Sequence, residues 1–278
     1  MSPTFPSPAP QAAVTALSLV LVLFGAFIYT RVIGRLRAEG GAVRASSFDL
    51  PELLMSIVLA TFFGGLVVRT ALTHSESAGD ISPGEVLPSS LIFAGFVAGL
   101  GIFMSCRGLR ISELFGLTRL SFARAAAWAA LLLVAAVPFV LIVNALSVLW
   151  LKGAAVEQPL VKLFRDAAQR GDFATMGKIA AAGVILAPVC EEFLFRGFFY
   201  GVGKRYFGPW ISGLFTAALF AAFHASLTSF AGLLLLAIAF TLAYERTGSL
   251  VVPITMHAFF NATSLGLLYL QSILRAPA

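Results

Sequence analysis

The chain has 278 residues, 59% of them hydrophobic and 12% charged, with a mean hydropathy of +0.93. Soluble domains carry about 25% charged and about 45–50% apolar residues, so this composition excludes a soluble globular protein of this length. The net charge of +6, from 19 Lys and Arg against 13 Asp and Glu, would suggest nucleic acid in a soluble protein; in a membrane protein basic loops set topology instead, and no nucleic-acid partner is expected.

About 20 apolar residues are needed for each crossing of a bilayer. The opening MSPTFPSPAP is Pro-rich and lacks the basic region of a secretory signal, so Ala12–Thr30 reads as a retained span. Further spans are expected at Pro51–Leu72, Pro88–Ser105, Ala125–Trp150, Met176–Tyr200, Pro209–Ala225, Leu227–Tyr244 and Leu250–Leu270. The expected fold is therefore all-α, a polytopic membrane helical bundle of about eight transmembrane helices. Residues 1–175 are expected to form N-terminal transmembrane helices and loops, and 176–270 a helical core carrying the polar residues, within one membrane domain overall. Cys106 and Cys190 fall at a helix end and within a helix, which suggests no disulfide framework.

Loop charges orient the bundle. The first loop holds Arg31, Arg35, Arg37 and Arg44, and the third Arg107, Arg110, Arg119 and Arg124. The second loop, with His74, Glu76, Asp80 and Glu85, has no Lys or Arg. Odd loops are then cytoplasmic and both termini outside, as in a bacterial plasma (inner) membrane protein. The fourth loop, Leu151–Lys178, departs from the rule with Lys152, Lys162, Arg165, Arg170 and Lys178. Within it, Pro159–Arg170 alternates apolar and charged residues at helical spacing. It reads as an amphipathic helix at the membrane surface, or alternatively as a lid over a site.

Charges inside the fifth span need a reason, because an ionised side chain at mid-membrane costs about 2.5–3.5 kcal/mol on insertion scales. Residues 190–197 read CEEFLFRG. Glu192 and Arg196 are four apart and share a helical face, where they can pair. Glu191 lies about 100° away around the helix and is left without an intrahelical partner. Pro188 removes a backbone hydrogen bond one turn earlier and can kink the helix. A buried ion pair that locks packing accounts for Glu192 and Arg196; it does not account for Glu191.

Two of the three histidines fall within later spans, His224 after Phe220 in FAAFH and His257 before Asn261 in HAFFN. Singly, each reads as a hydrogen-bonded packing residue. Together they supply one free carboxylate, two imidazoles and a carboxamide on three membrane helices. That set suits hydrolysis of an amide, with a base for water and donors for an oxyanion. At 1.5 Å per residue His257 falls roughly 12 Å from the start of its span and Glu191 roughly 14 Å from the end of its own. His224, roughly 22 Å into the sixth span, comes out deeper.

The ordered set Glu191-Glu192-x-x-x-Arg196, Phe220-x-x-x-His224 and His257-x-x-x-Asn261 resembles the CPBP family of CAAX proteases and bacteriocin-processing enzymes, also called Abi, over roughly residues 180–265. The resemblance implies an intramembrane endopeptidase acting on a membrane-associated peptide or protein, its substrate presented by a C-terminal segment at the bilayer. It implies that Glu191 and His224 activate water, that His257 and Asn261 stabilise the oxyanion, and that Glu192, Arg196 and Phe220 support them. The family is often labelled metalloprotease, and Glu191, His224 and His257 are the ligands a divalent metal such as zinc would take. No His-Glu-x-x-His pair is present, and the Glu/His water-activating scheme needs no metal. A non-catalytic immunity or scaffold protein of the same family, and a proton-coupled transporter using Glu191 and the histidines as a relay, are the alternatives.

Overall fold

The computed structural model describes residues 8–72, 82–151 and 158–274. The second-loop residues His74, Glu76 and Asp80, and Lys152 of the fourth loop, lie outside the described residues, as do the first seven residues. Every element among the described residues is helical. The elements are α1 (Pro8–Glu39), α2 (Leu50–Leu72), α3 (Val86–Cys106), α4 (Ile111–Leu114), α5 (Phe122–Trp150) and α6 (Pro159–Arg170). There follow α7 (Phe173–Ala180), a π-helical stretch Ala181–Leu186, α8 (Ala187–Glu192), a second π-helical stretch Phe193–Phe199, α9 (Tyr200–Phe223), α10 (Leu227–Thr247) and α11 (Val251–Leu274).

Seven helical segments among the described residues are long and apolar enough to cross a bilayer. One of them, Phe173–Phe223, has 51 residues, which would extend about 76 Å as a straight helix against an apolar thickness of about 30 Å. It does not run straight. Gly208 has φ +78° and ψ 169° and is followed by Pro209, so the helix breaks there. A Cβ placed on Gly203 would stand 2.8 Å from Ser212 Oγ, and one on Gly213 3.7 Å from the Tyr200 ring. Residues that far apart along a helix cannot meet, so the segment is an antiparallel hairpin turning at Gly208. Counted as two arms it brings the crossings to the expected eight.

The first arm of that hairpin runs on to Phe207 rather than ending at Tyr200. The expected boundary stopped at the Gly- and Lys/Arg-containing GVGKR, but Lys204 is held in the helix by Glu245 at 2.6 Å. The shift removes the mismatch in depth. From Gly208, Glu191 is about 25 Å back along one arm and His224 about 24 Å along the other. Similarly, α1 continues to Glu39 rather than Thr30, carrying Arg31, Arg35 and Arg37 on its last turns, where long basic side chains reach out of the apolar layer.

Leu17, Val20 and Leu23 on α1 are each about 60% exposed, and Ile92, Ile102, Leu141 and Leu149 on α3 and α5 are also exposed. Such continuous apolar faces are far larger than the patches soluble monomers expose. They face lipid, and the chain is an integral membrane protein. Inside, α5 packs against α1, α10 and α11. One buried cluster joins Phe48, Phe63, Met104 and Phe115 of the first half to Leu194, Phe195, Phe198 and Phe220 of the second. The halves therefore share a core. The amphipathic segment forms α6 with its expected bounds, started by Pro159 and stopped by Gly171 in the left-handed region. Its apolar face is occupied: Phe164 packs with Val86, Ile179, Leu265 and Tyr269. Asp172 caps α7 by accepting from the Thr175 N–H at 3.0 Å and hydroxyl at 2.6 Å, bonds that hold its carboxyl below the usual range.

Candidate active site

Around CEEFLFRG the helix is α-helical over Ala187–Glu192, with π-helical stretches on both sides. Helix segments of this wider register are frequent at functional sites. The first has an identifiable cause. The Ala187 N–H bonds to the Ala182 carbonyl, five residues back. Continuing that register, the Gly183 carbonyl would receive its hydrogen from residue 188, which is proline and has none. Asn261 Nδ2 donates to the Gly183 carbonyl instead, at 2.7 Å.

Glu192 and Arg196 pair as the spacing predicts. Arg196 Nη1 donates to Glu192 Oε1 at 2.7 Å, with both side chains at most 1% exposed. The guanidinium also donates to the Ala237 carbonyl at 3.3 Å. It lies over the rings of Phe220 and Phe240, at 4.3 and 5.2 Å from the centroids. The pair does more than neutralise itself. His257 Nδ1 lies 2.9 Å from Glu192 Oε1; because that oxygen accepts from Arg196, the imidazole nitrogen is the donor.

His224 is fixed by the same logic. Its Nδ1 is 2.9 Å from the Phe220 carbonyl, an acceptor only, so Nδ1 carries the hydrogen and Nε2 is turned away from the helix. Both Nε2 atoms then face one oxygen: Glu191 Oε2 is 3.9 Å from His224 Nε2 and 4.0 Å from His257 Nε2. That oxygen is buried and has no hydrogen-bond partner. The separations are too long for a direct bond and of the size one bridging water spans. Phe220 is the wall behind the group, 4.7 Å from the His224 ring and 5.8 Å from the His257 ring, and Phe240 stacks on His257 at 5.3 Å.

The structure thus brings Glu191, His224 and His257 to one point, with Glu192, Arg196 and Phe220 directly behind them. Asn261 is on the same helical face as His257, and the bond it makes is to Gly183. Phe240, Ala237 and Gly183 were not foreseen. Two of them act through backbone carbonyls, which leave no mark in a sequence, and Phe240 is one phenylalanine among 26.

Two imidazoles and a carboxylate are chemically a zinc donor set. Their spacing fits one poorly. Donors bound tetrahedrally at about 2.0–2.1 Å stand about 3.4 Å from one another, and here the donor atoms are 3.9 and 4.0 Å apart. Among the described residues no three His, Cys, Asp or Glu side chains stand at the spacing of a formed metal site.

The fold and cluster define a polytopic α-helical membrane protein with a carboxylate and two histidines meeting inside the bundle. Residues 176–263 match the family model described as type II CAAX prenyl endopeptidase Rce1-like, and that stretch is a domain of the CPBP, or Abi, family. The chain is also similar to an uncharacterized 24.3 kDa protein of Escherichia coli, 36% identical over 129 residues. The match covers 43% of this chain and 57% of that protein's length. No solved structure matches.

Proposed function

We propose that the protein is an intramembrane endopeptidase that hydrolyses a peptide bond in a membrane-associated peptide or protein. The observation that carries this reading is the convergence of two imidazole Nε2 atoms on the unpartnered Glu191 Oε2. A water held between Glu191 and His224 attacks the scissile carbonyl carbon. Glu191 takes the water's proton, and the C–O bond forms as the carbonyl oxygen becomes an oxyanion. His257, with a proton on each ring nitrogen, presents Nε2–H to that oxygen, the Glu192 carboxylate behind its ring serving as counter-charge, and Asn261 adds its second amide hydrogen. Collapse of the intermediate breaks the C–N bond, and Glu191 returns the proton to the leaving amine.

The chemistry in this scheme is metal-free, as the donor spacing favours. In this reading the basic end of α1 and of the hairpin turn faces the cytoplasm, as the positive-inside rule favours, in a bacterial inner membrane with both termini outside. The family match at 176–263 supports a membrane endopeptidase. Comparing the membrane and secreted peptidomes of cells expressing wild type and Glu191→Gln tests the reading. Fragments present with wild type and missing with the variant are expected. Identical peptidomes at equal expression would discard catalysis in favour of a non-catalytic membrane partner.

A further inference from the structure

A cavity lies away from the Glu191 cluster, at the Gly208 end of the bundle. It has a volume of about 380 Å³ and is bordered by the end of α1, both hairpin arms and α10. Leu36, Trp210, Leu214, Ile238 and Leu242 give it apolar walls. Tyr200, at its inner end, is nine residues beyond Glu191, or about 13 Å along the helix. Glu245 also borders the cavity, but its charge is met by Lys204 at 2.6 Å and its oxygen by the Tyr200 hydroxyl. The carboxylate bordering the cavity is therefore neutralised.

The mouth has a different character. Tyr206, Phe207 and Trp210 are 41%, 60% and 54% exposed around the Gly208 turn, the arrangement of an aromatic belt at a membrane surface. The Arg37 guanidinium lies over the Trp210 ring, 6.0 Å from its centroid. Arg31, Arg35 and Arg205 are also exposed on α1 and the hairpin turn, where Glu39 is an exposed carboxylate. An apolar slot thus lies beside the aromatic and cationic groups of the Gly208 turn and the end of α1. Neither feature is used by the proposed hydrolysis.

We propose that this groove is a binding site for an anionic phospholipid, with one acyl chain between Leu36, Leu214 and Leu242 and the phosphate at Arg37 beside Trp210. Basic pockets between helices at a membrane surface recognise anionic headgroups through this combination of charge and aromatic contact. The bound lipid would bridge α1 to the hairpin and α10, elements of the N-terminal and site-bearing halves of the chain.

Trp210 reports its own occupancy. The chain has three tryptophans, so Trp128→Phe with Trp150→Phe leaves Trp210 as the only emitter. The protein is reconstituted in phosphatidylcholine vesicles containing a low fraction of phosphatidylglycerol. Bromine is carried on the acyl chains of either lipid at the same mole fraction. Brominated phosphatidylglycerol is expected to quench Trp210 several-fold more than brominated phosphatidylcholine. Arg37→Gln, at an exposed position, and Gly213→Leu, which fills the groove, are each expected to bring the two quenching levels together. Equal quenching by the two lipids in the unsubstituted groove would overturn the proposal, as would a preference that persists in Arg37→Gln. A prenyl-bearing peptide that displaces the brominated lipid would assign the groove to substrate instead and overturn it too. The measurement needs no peptidase activity, so its outcome is independent of the hydrolytic reading.

Discussion

Asn261 completes the hydrogen bonding of a helix to which it does not belong: its amide donates to the Gly183 carbonyl that Pro188 leaves without a partner. A bare carbonyl inside the bundle is costly, so the bond ties α11 to the segment that aims Glu191. Asn261→Ala is expected to lower stability by about 0.5–2 kcal/mol, the range of polar contacts between membrane helices. In a Pro188→Ala background the new backbone N–H can serve Gly183, and the same substitution should then cost much less. Thermal denaturation of the four proteins in lipid nanodiscs measures the coupling. Equal losses in both backgrounds would show that Asn261 does not act through Gly183.

Glu245 is another buried carboxylate junction. It accepts from Lys204 at 2.6 Å and from the Tyr200 hydroxyl, and the Ala42 N–H donates to its carbonyl at 2.8 Å. Gly41 passes so close that any side chain there would enter the Glu245 carboxylate. Glu245→Ala strands a mostly buried ammonium, at a cost of about 3–5 kcal/mol for a fully buried pair and less here, where Lys204 keeps 14% exposure. Gly41→Ala should destabilise through the same group. Denaturation midpoints check both, and Gly41→Ala is expected to be rescued in part by Glu245→Ala with Lys204→Met, which removes the clashing carboxylate together with the cation it would strand.

The donor spacing around Glu191 gives an expectation about metals. If water is held by Glu191 and His224 without an ion, a chelator leaves peptide cleavage unchanged and purified protein carries no stoichiometric zinc. His224→Ala is expected to remove cleavage by about 10²–10⁴-fold, the usual worth of positioned acid–base groups. Activity lost on chelation and restored by zinc alone would reverse the assignment, since a third ligand shift would then have closed the separations of 3.9 and 4.0 Å.

Much of this was legible in the sequence, for specific reasons. Composition fixes a bundle because an unsatisfied backbone cannot cross lipid except as helix or closed barrel. The four-residue spacing of Glu192 and Arg196 gave their bond, since it depends only on helix geometry. The convergence of Glu191 with His224 was blurred by one misplaced helix end. Lys204 and Arg205 looked like loop residues because their partner, Glu245, is 41 positions from Lys204, and the hairpin turn was consequently set too early. The bond between Glu192 and His257 spans 65 positions, and nothing in local periodicity encodes it. The Asn261 bond was invisible for a further reason: it answers a π-helical register, which exists only once the helix has packed.

The adjacent carboxylates should separate cleanly on substitution, although they differ by one position. Glu191→Gln keeps shape and replaces an oxygen that has no bonding partner, so stability should be unchanged or slightly higher while hydrolysis is lost. Glu192→Gln leaves the 1% exposed Arg196 without its counter-charge, a change expected to cost about 3–5 kcal/mol. Adding Arg196→Met to Glu192→Gln removes the stranded cation and should recover most of that stability. It should not recover activity, because the His257 Nδ1–H no longer meets a carboxylate. Melting temperature and cleavage rate measured on these three proteins resolve the matter. If the double variant regained hydrolysis along with stability, Glu192 would be a packing residue alone, and the hold it exerts on His257 would have no part in the reaction.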